Sequence, residues 1–211
     1  MMNPTIKKAI AISASIFILL IGYYGSYLPM RKSMIFIGVI QNTGGIKTLA
    51  DFEQAFSEPL DYPSPIGQEE LVRNTANMTV GSIQNISPEG VDQMVNYIES
   101  YYEPIISRGR GMSFGQNLYL LGAINELAFL KTQKTKYIDD AEKYFTKALD
   151  LGPKRPQGLY GLFDVYRVKG DIPNATKVGE QILGQWPTDT KIKETLDAMS
   201  AGASSGAEKK R

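Results

Sequence analysis

The chain of 211 residues contains no cysteine and no histidine. Without cysteine it can form no disulfide, no zinc-thiolate site and no thiol nucleophile. Without histidine it lacks the base of Ser-His-Asp and Cys-His catalytic systems and the commonest protein ligand for metal ions. We therefore expect no catalytic residue, no metal site and no cofactor, and we do not expect the chain to be an enzyme.

An excess of charge of either sign is also missing. The sequence has 23 basic and 22 acidic residues, a net charge of +1, so no global field attracts nucleic acid or anionic lipid. The densest acidic group, Asp139, Asp140 and Glu142, is expected in the first turn of a helix, where carboxylates complement the helix dipole. The single segment from Gly109 to Gly111 has no aromatic neighbours and predicts a loop rather than an RNA-binding segment. We expect no nucleic-acid partner and no small-molecule substrate.

One long stretch has no charged residue at all. It extends from Ala9 to Met30, and its centre, residues 16–21, is continuously apolar. A helix of about twenty residues crosses the roughly 30 Å hydrocarbon layer of a bilayer. Three tyrosines near the far end suit the headgroup region, and Pro29 marks the expected exit. Residues 1–30 are therefore predicted to be a short tail and a single transmembrane anchor.

Two other interpretations of this stretch stay open. A cleaved secretory signal peptide also begins with basic residues, here Lys7 and Lys8, but the apolar run is long and no small-x-small cleavage site follows it. A buried core helix would need a polar face, which residues 9–30 lack. Arg31 and Lys32 balance the two lysines. The charge count therefore does not set the orientation. We expect the short N-terminal tail to stay inside and the large domain to lie outside, because a head of eight residues need not be translocated.

Residues 31–111 are predicted to form degenerate helical hairpins, because apolar residues recur there at helical spacing between turn residues. The expected helices are Met34 to Ile40 paired with Leu49 to Phe56, then Gln68 to Ser82, then a helix that starts at Ser87-Pro88-Glu89 and ends near Ile106. At the other end of the chain, residues 200–211 have too little apolar surface to fold. They are predicted to be a disordered tail.

Between Tyr137 and Pro187 one pattern recurs at a fixed interval. Its residues are Ala141, Phe145, Ala148 and Pro153 in the first copy, and Leu159, Leu162, Tyr166, Gly170, Ala175, Ile182 and Pro187 in the second. The two repeated alanines and the two repeated prolines are each 34 residues apart, which is the period of tetratricopeptide (TPR) helix pairs. Small alanines let paired helices approach closely, and a proline ends the second helix. This segment resembles the TPR family.

The first copy departs from the repeat pattern. Its nearest Leu-Gly pair, Leu121-Gly122, comes seven residues before the place that the second copy predicts, and its turn glycine is replaced by Lys136. We interpret the offset as a first helix lengthened by about two turns, from Gly115 to about Lys131. The alternative is chance similarity of one apolar helix.

The TPR resemblance implies an all-α fold, in which the N-terminal transmembrane helix is followed by a TPR-like α-solenoid of antiparallel helix pairs. The repeats and a C-terminal capping helix would occupy residues 112–199. In such solenoids the first helix of each pair lines a concave surface that binds peptides. In the second copy this surface would carry a stripe at spacings of three and four, Gln157, Tyr160, Asp164 and Arg167. We expect this stripe to bind a partner protein, and the alternative is an ordinary solvated face.

A second resemblance covers more of the chain. Its segments are Tyr27-Leu28-Pro29, Asp51 to Phe56, Leu60-Asp61-Tyr62, Pro65 to Glu70, Val72-Arg73 and Ala148 to Gln157. They look like the tail of bacterial O-antigen ligase and polymerase-like membrane proteins, in which a final membrane span leads into helical repeats. The resemblance implies this architecture and an association with cell-surface assembly. Together with the orientation expected for the anchor, we expect a place in the bacterial inner membrane with the repeat domain outside the cytoplasm. The multi-span portion that transfers glycans is missing here, so the transfer reaction is not implied.

The sequence thus predicts a membrane-anchored TPR-like adaptor, or scaffold, that binds a partner protein in a bacterial cell-envelope assembly. One alternative is a detached accessory domain of an O-antigen ligase or polymerase-type glycan-assembly system, non-catalytic by itself. A further alternative is a structural subunit that uses the same surfaces for contacts between copies of the chain.

Overall fold

The computed structural model describes residues 3–111 and 113–208, and in these ranges the chain is helical with no strand. The prediction of an all-α fold is confirmed. The helices are α1 (Pro4–Gly22), α2 (Leu28–Gln41), α3 (Leu49–Asp61), α4 (Gln68–Ser82), α5 (Pro88–Arg108), α6 (Phe114–Thr132), α7 (Thr135–Leu151), α8 (Pro156–Lys169), α9 (Ile172–Gln185) and α10 (Thr190–Glu208).

The described residues divide into two compact units. The first unit contains residues 3–75 and 100–102, and the second contains residues 76–99, 103–111 and 113–208. The boundary predicted at residue 112 lies outside the described residues. Residues 76–99, which the sequence placed with the hairpins, belong to the second unit, where the short turn Ile83–Asn85 packs against α6.

The N-terminal helix is long, apolar and exposed. It runs without interruption from Pro4 to Gln41 and is long and apolar enough to cross a membrane, and no residue of α1 is buried. Pro29, which the sequence marked as the exit, does not break it. A π-helical turn at Tyr23–Tyr27 ends two residues before this proline. The wider π-helical turn accommodates a residue that has no backbone N–H donor, so the helix continues through Pro29.

In the first unit, α3 packs against α2. The ring centroid of Phe56 lies 4.5 Å from that of Phe52 and 6.0 Å from that of Phe36, which belongs to α2. A threonine cap, Thr48, begins α3 by accepting the N–H of Asp51, whose carboxylate accepts the N–H of Thr48 in return. This reciprocal cap satisfies amides that would otherwise lack partners.

Lys32 has a different role from the one that the sequence indicated. Only 3% of it is exposed. Its ammonium donates to the carbonyl oxygens of Leu60, at 3.3 Å, and Tyr62, at 2.8 Å, and to the side-chain oxygen of Gln68. The last carbonyls of a helix have no intrahelical donor, so this lysine closes the end of α3.

In the second unit, each helix from α6 to α10 packs against the next, and α6 also contacts α8. The main core cluster consists of Ile138, Ala141, Phe145, Leu159, Leu162, Phe163, Val165, Ala175, Val178, Ile182 and Ile192. The first of these helices, α6, has 19 residues, whereas α8 has 14. α6 is thus longer than α8 by five residues (19 minus 14), about one and a half turns, where the early Leu121-Gly122 pair predicts about two.

Phe145 holds three helices together. It lies on α7 and is only 1% exposed. A Cβ atom built on Gly122 of α6 would lie 2.6 Å from its ring, and one built on Gly161 of α8 would lie 2.5 Å from it. The two glycines thus leave the space that the ring fills, which is why α6 and α8 can approach the same face of α7.

The last helix enters the segment that the sequence predicts to be disordered. Residues 200–211 were expected to be disordered, but α10 continues to Glu208, and residues 209–211 lie outside the described part.

Candidate functional site

The predicted binding residues lie on α8, a helix with clear ends. Pro156 occupies its first turn, and Gly170 closes it with a φ of 71°, a left-handed conformation that glycine adopts without strain. Leu159 and Leu162 face the core. The other side carries Gln157, Tyr160, Asp164 and Arg167, which we name the α8 stripe; Gln157 and Arg167 are exposed, and the other two are half-buried.

Tyr160 contacts two residues of the same chain, Asp189 and Trp186. Its hydroxyl donates to Asp189 Oδ2, and its ring lies 5.9 Å from the ring of Trp186. Asp189 Oδ1 accepts the N–H of Ile192 at 3.1 Å and so caps α10. The hydrogen bond to this carboxylate, with some burial, raises the pKa of Tyr160 to about 12. Tyr160 therefore connects α8 to the start of α10, as well as presenting an edge to solvent.

Arg167 and Asp164 form an ion pair on the exposed side of α8. Arg167 Nε and Nη2 donate to the same oxygen, Asp164 Oδ1, at 3.1 and 2.9 Å. Both side chains keep more than two fifths of their surface exposed, at 47% and 43%. A surface pair of this kind contributes about 0–1 kcal/mol to stability, so it can open and exchange partners.

A third charged group, Glu126 of α6, adjoins the α8 stripe. It is half-buried, and it has no hydrogen-bond or ion-pair partner among the residues that the structure describes. Burial raises the pKa of Glu126 to about 7, the charge of Asp164 adds to the rise, and the charge of Arg167 opposes it. The face shared by α6 and α8 therefore combines an aromatic edge, an ion pair and a carboxyl group that titrates near neutral pH.

The structure places most of the predicted packing residues inside the second unit. Those that are buried are Ala141, Phe145, Ala148, Leu159, Leu162 and Ala175. Tyr166 is half-buried, whereas Pro153 and Pro187 are exposed in the turns after α7 and α9. Gln181 of α9 donates to the carbonyl oxygen of Pro153 at 3.0 Å.

Two of the acidic residues in the group at 139–142 form ion pairs within the chain. Lys169, at the end of α8, donates to Asp139 Oδ1 at 2.6 Å and to Glu142 Oε2 at 2.7 Å. These contacts join α7 to α8. Throughout residues 3–111 and 113–208, no three His, Cys, Asp or Glu side chains are grouped so that they could hold a metal ion.

The sequence analysis missed Glu126, although a signal for it exists. Tyr119, Ala123 and Glu126 are separated by four and three residues, so they share one face of α6. Tyr119 and Ala123 pack against the core that α8 helps to form. The spacing alone therefore puts Glu126 on one face of α6 with Tyr119 and Ala123, and the structure turns that face towards α8.

The raised pKa of Glu126 predicts how stability depends on pH. The carboxyl group binds its proton more tightly in the folded state than at its ordinary pKa of 4.5. The stabilisation that the protonated Glu126 carboxyl group gives the folded state is therefore fully present below pH 4.5. It is lost as the pH rises to about 7. We expect this loss to be on the order of 2 kcal/mol, measured by urea unfolding of the full chain in detergent through the fluorescence of Trp186, the single tryptophan.

Glu126→Gln is the matched variant, because it keeps the shape of the side chain and removes the titration. Its stability should stay level over the same pH range. The chain has no histidine, so no imidazole titrates in this window. If the wild type and Glu126→Gln lose stability in parallel, the pKa of Glu126 is not raised by the fold.

Comparisons of the chain with known protein families, with curated proteins and with solved structures give no match.

Proposed function

We propose that this chain is a membrane-anchored, TPR-like helical-repeat adaptor that holds a partner protein on the face shared by α6 and α8. The observation that carries the proposal is the contact between alternate helices: α6 meets α8, and α7 packs against both. This is the arrangement expected of stacked helix pairs, whose first helices line a common surface. The alanine and proline spacing of 34 residues supports the same architecture.

The chemistry of this face suits a peptide segment of another protein. Gln157 offers an amide that has no partner among the described residues, and Arg167 can exchange its weak ion pair for a carboxylate of the partner. Tyr160 is held by Asp189 and Trp186, so little rotamer entropy is lost when its edge is covered. The partner would gain one fixed aromatic contact and two adaptable polar contacts.

The membrane part of the proposal rests on the N-terminal helix. The 22 uncharged residues from Ala9 to Met30 span about 33 Å as a helix, close to the hydrocarbon thickness. Large apolar side chains exposed on every side of α1 are stable in lipid and costly in water. Arg31 and Lys32 balance Lys7 and Lys8 in the charge count. The N-terminal tail is placed inside because a head of eight residues need not be translocated.

Crosslinking in intact cells tests the partner-binding face. A photoreactive amino acid at Gln157 should capture a partner, whereas one at Lys143, exposed on α7, should not. In the same assay Arg167→Gln combined with Gln157→Ala should weaken capture by a photoreactive group at Asp164 by about tenfold, or roughly 1.4 kcal/mol. Tyr160 is left intact, because removing its ring would also disturb Trp186 and α10.

The control is Lys143→Gln, which removes one exposed cation from another helix. Equal capture by the double variant and by Lys143→Gln would show that this face is only solvated. A multi-span glycan-transferring protein as the captured partner would favour the accessory-domain alternative, and a second copy of this chain would favour the structural-subunit alternative.

A further inference from the structure

The first turns of α6 and α8 border a cavity in the second unit whose lining shares one residue, Gln157, with the α8 stripe. Its volume is about 400 Å³, and its lining includes Gly115, Gln116, Tyr119, Arg155, Gln157 and Gly158. A second cavity of about 320 Å³ shares Gly115 and Arg155 with it and adds Arg110. Volumes of this size fall in the range of small-molecule sites.

The lining is rich in hydrogen-bond donors and poor in negative charge. Gln116, Tyr119, Arg155 and Gln157 supply a guanidinium, a phenol and two amides, and within the described part of the chain none of these groups has a hydrogen-bond or ion-pair partner. No aspartate or glutamate is among the described residues that line either cavity. A guanidinium is always charged and presents five donors in a planar fork. The larger cavity therefore offers a positive charge and several donors that remain to be satisfied.

Two glycines let the Arg155 guanidinium lie at the wall of the cavities. A Cβ atom on Gly115 would overlap Arg155 Nη1, and one on Gly152 would lie 2.6 Å from Arg155 Nε. Both positions therefore need a residue without a side chain for the arginine to keep this placement. Arg155 is exposed, so a ligand can reach it from solvent.

Backbone donors add to the side chains. The cavity borders Gly115 and Gln116 in the first turn of α6, and Gln157 and Gly158 in the first turn of α8. The first amides of a helix have no intrahelical acceptor, and the helix dipole favours negative charge beside them. Two such turns and the guanidinium thus favour the same kind of ligand.

We propose that this cavity binds an oxyanion, a phosphate or carboxylate group, held by the fork of Arg155 and by donors from Tyr119 and Gln116. The group can belong to a small soluble anion or to an acidic side chain of a bound partner. The site does not depend on the α8 stripe as a whole, since only Gln157 is common to both.

The test is a titration of the full chain in detergent micelles with inorganic phosphate, at constant ionic strength set by chloride. Saturable shifts of the Gly115 and Gly158 amide resonances are expected. Arg155→Gln should weaken the affinity at least tenfold, whereas Lys154→Gln, which removes the neighbouring exposed cation, should change it less than about twofold. Arg155→Lys keeps the charge but loses the fork, and it should also bind weakly.

Equal effects of Arg155→Gln and Lys154→Gln, or shifts that do not saturate, would overturn the site. Gly115→Ala gives a second route, because its methyl group displaces the end of a flexible side chain while the helix keeps a good helix former. It should weaken phosphate binding as Arg155→Gln does. Crosslinking from Gln157 in cells separates the two sources: loss of capture in Arg155→Gln indicates an acidic group of the partner, and unchanged capture with lost phosphate binding indicates a free anion.

Discussion

Replacing Phe145 with alanine should lower the free energy of unfolding of the second unit by about 3–5 kcal/mol. The ring is 1% exposed and fills the gap over Gly122 and Gly161. Its removal loses the transfer free energy of the ring and leaves a cavity among α6, α7 and α8 that the two glycines cannot fill. Urea unfolding of the full chain in detergent, followed by Trp186 fluorescence, measures the change.

The opposite change tests the same contact. Gly161→Ala adds a methyl group that would lie 2.5 Å from the Phe145 ring, and we expect a loss of about 1–3 kcal/mol from overpacking. Gly184→Ala is the control, because no heavy atom lies within 4 Å of its added Cβ. In α9 this change should be neutral or stabilising by up to about 1 kcal/mol. Similar unfolding curves for the two alanine variants would mean that the ring does not fill this gap.

The sequence predicts this packing because the information is local and periodic. Ala141, Phe145 and Ala148 recur at spacings of four and three, which place them on one side of a helix whatever lies opposite. The apolar N-terminal helix is predicted for the same reason, since its length and composition belong to one continuous segment. Helix ends could also be predicted where the sequence has a capping residue. Ser87 caps the start of α5, and Gly170 closes the end of α8.

The polar contacts could not be predicted in this way. Lys32 follows an apolar run and has the appearance of a flanking charge, but its acceptors lie 28 to 36 residues further along the chain. The hydroxyl of Tyr160 finds its acceptor 29 residues away. The pKa of Glu126 depends on Asp164 and Arg167 of another helix. Each contact requires the helices to be placed first, and helical periodicity carries no information about that placement.

A charge at the centre of the N-terminal helix should prevent its insertion. Leu19 lies near the middle of the uncharged stretch and is 72% exposed, so its side chain would face lipid. On insertion scales an arginine at this depth costs about 2.5–3.5 kcal/mol, or roughly a hundredfold in the inserted fraction. After a carbonate wash of cell membranes, the wild type should stay in the membrane pellet, and much of Leu19→Arg should appear in the supernatant.

The matched control is Leu130→Arg, which adds the same charge at an exposed leucine of α6, outside the apolar stretch. It should stay in the pellet with the wild type, because its new charge lies in water whether the N-terminal helix is inserted in the membrane or released from it. The mass of the protein separates the remaining interpretations. A wild-type chain shortened by the length of the apolar segment would identify a cleaved signal peptide, and full-length protein in the supernatant would mean that residues 9–30 do not span a membrane. Retention of the full-length wild type and of Leu130→Arg, with release of Leu19→Arg alone, is the result that a transmembrane anchor requires, since only a charge placed in lipid carries the insertion cost.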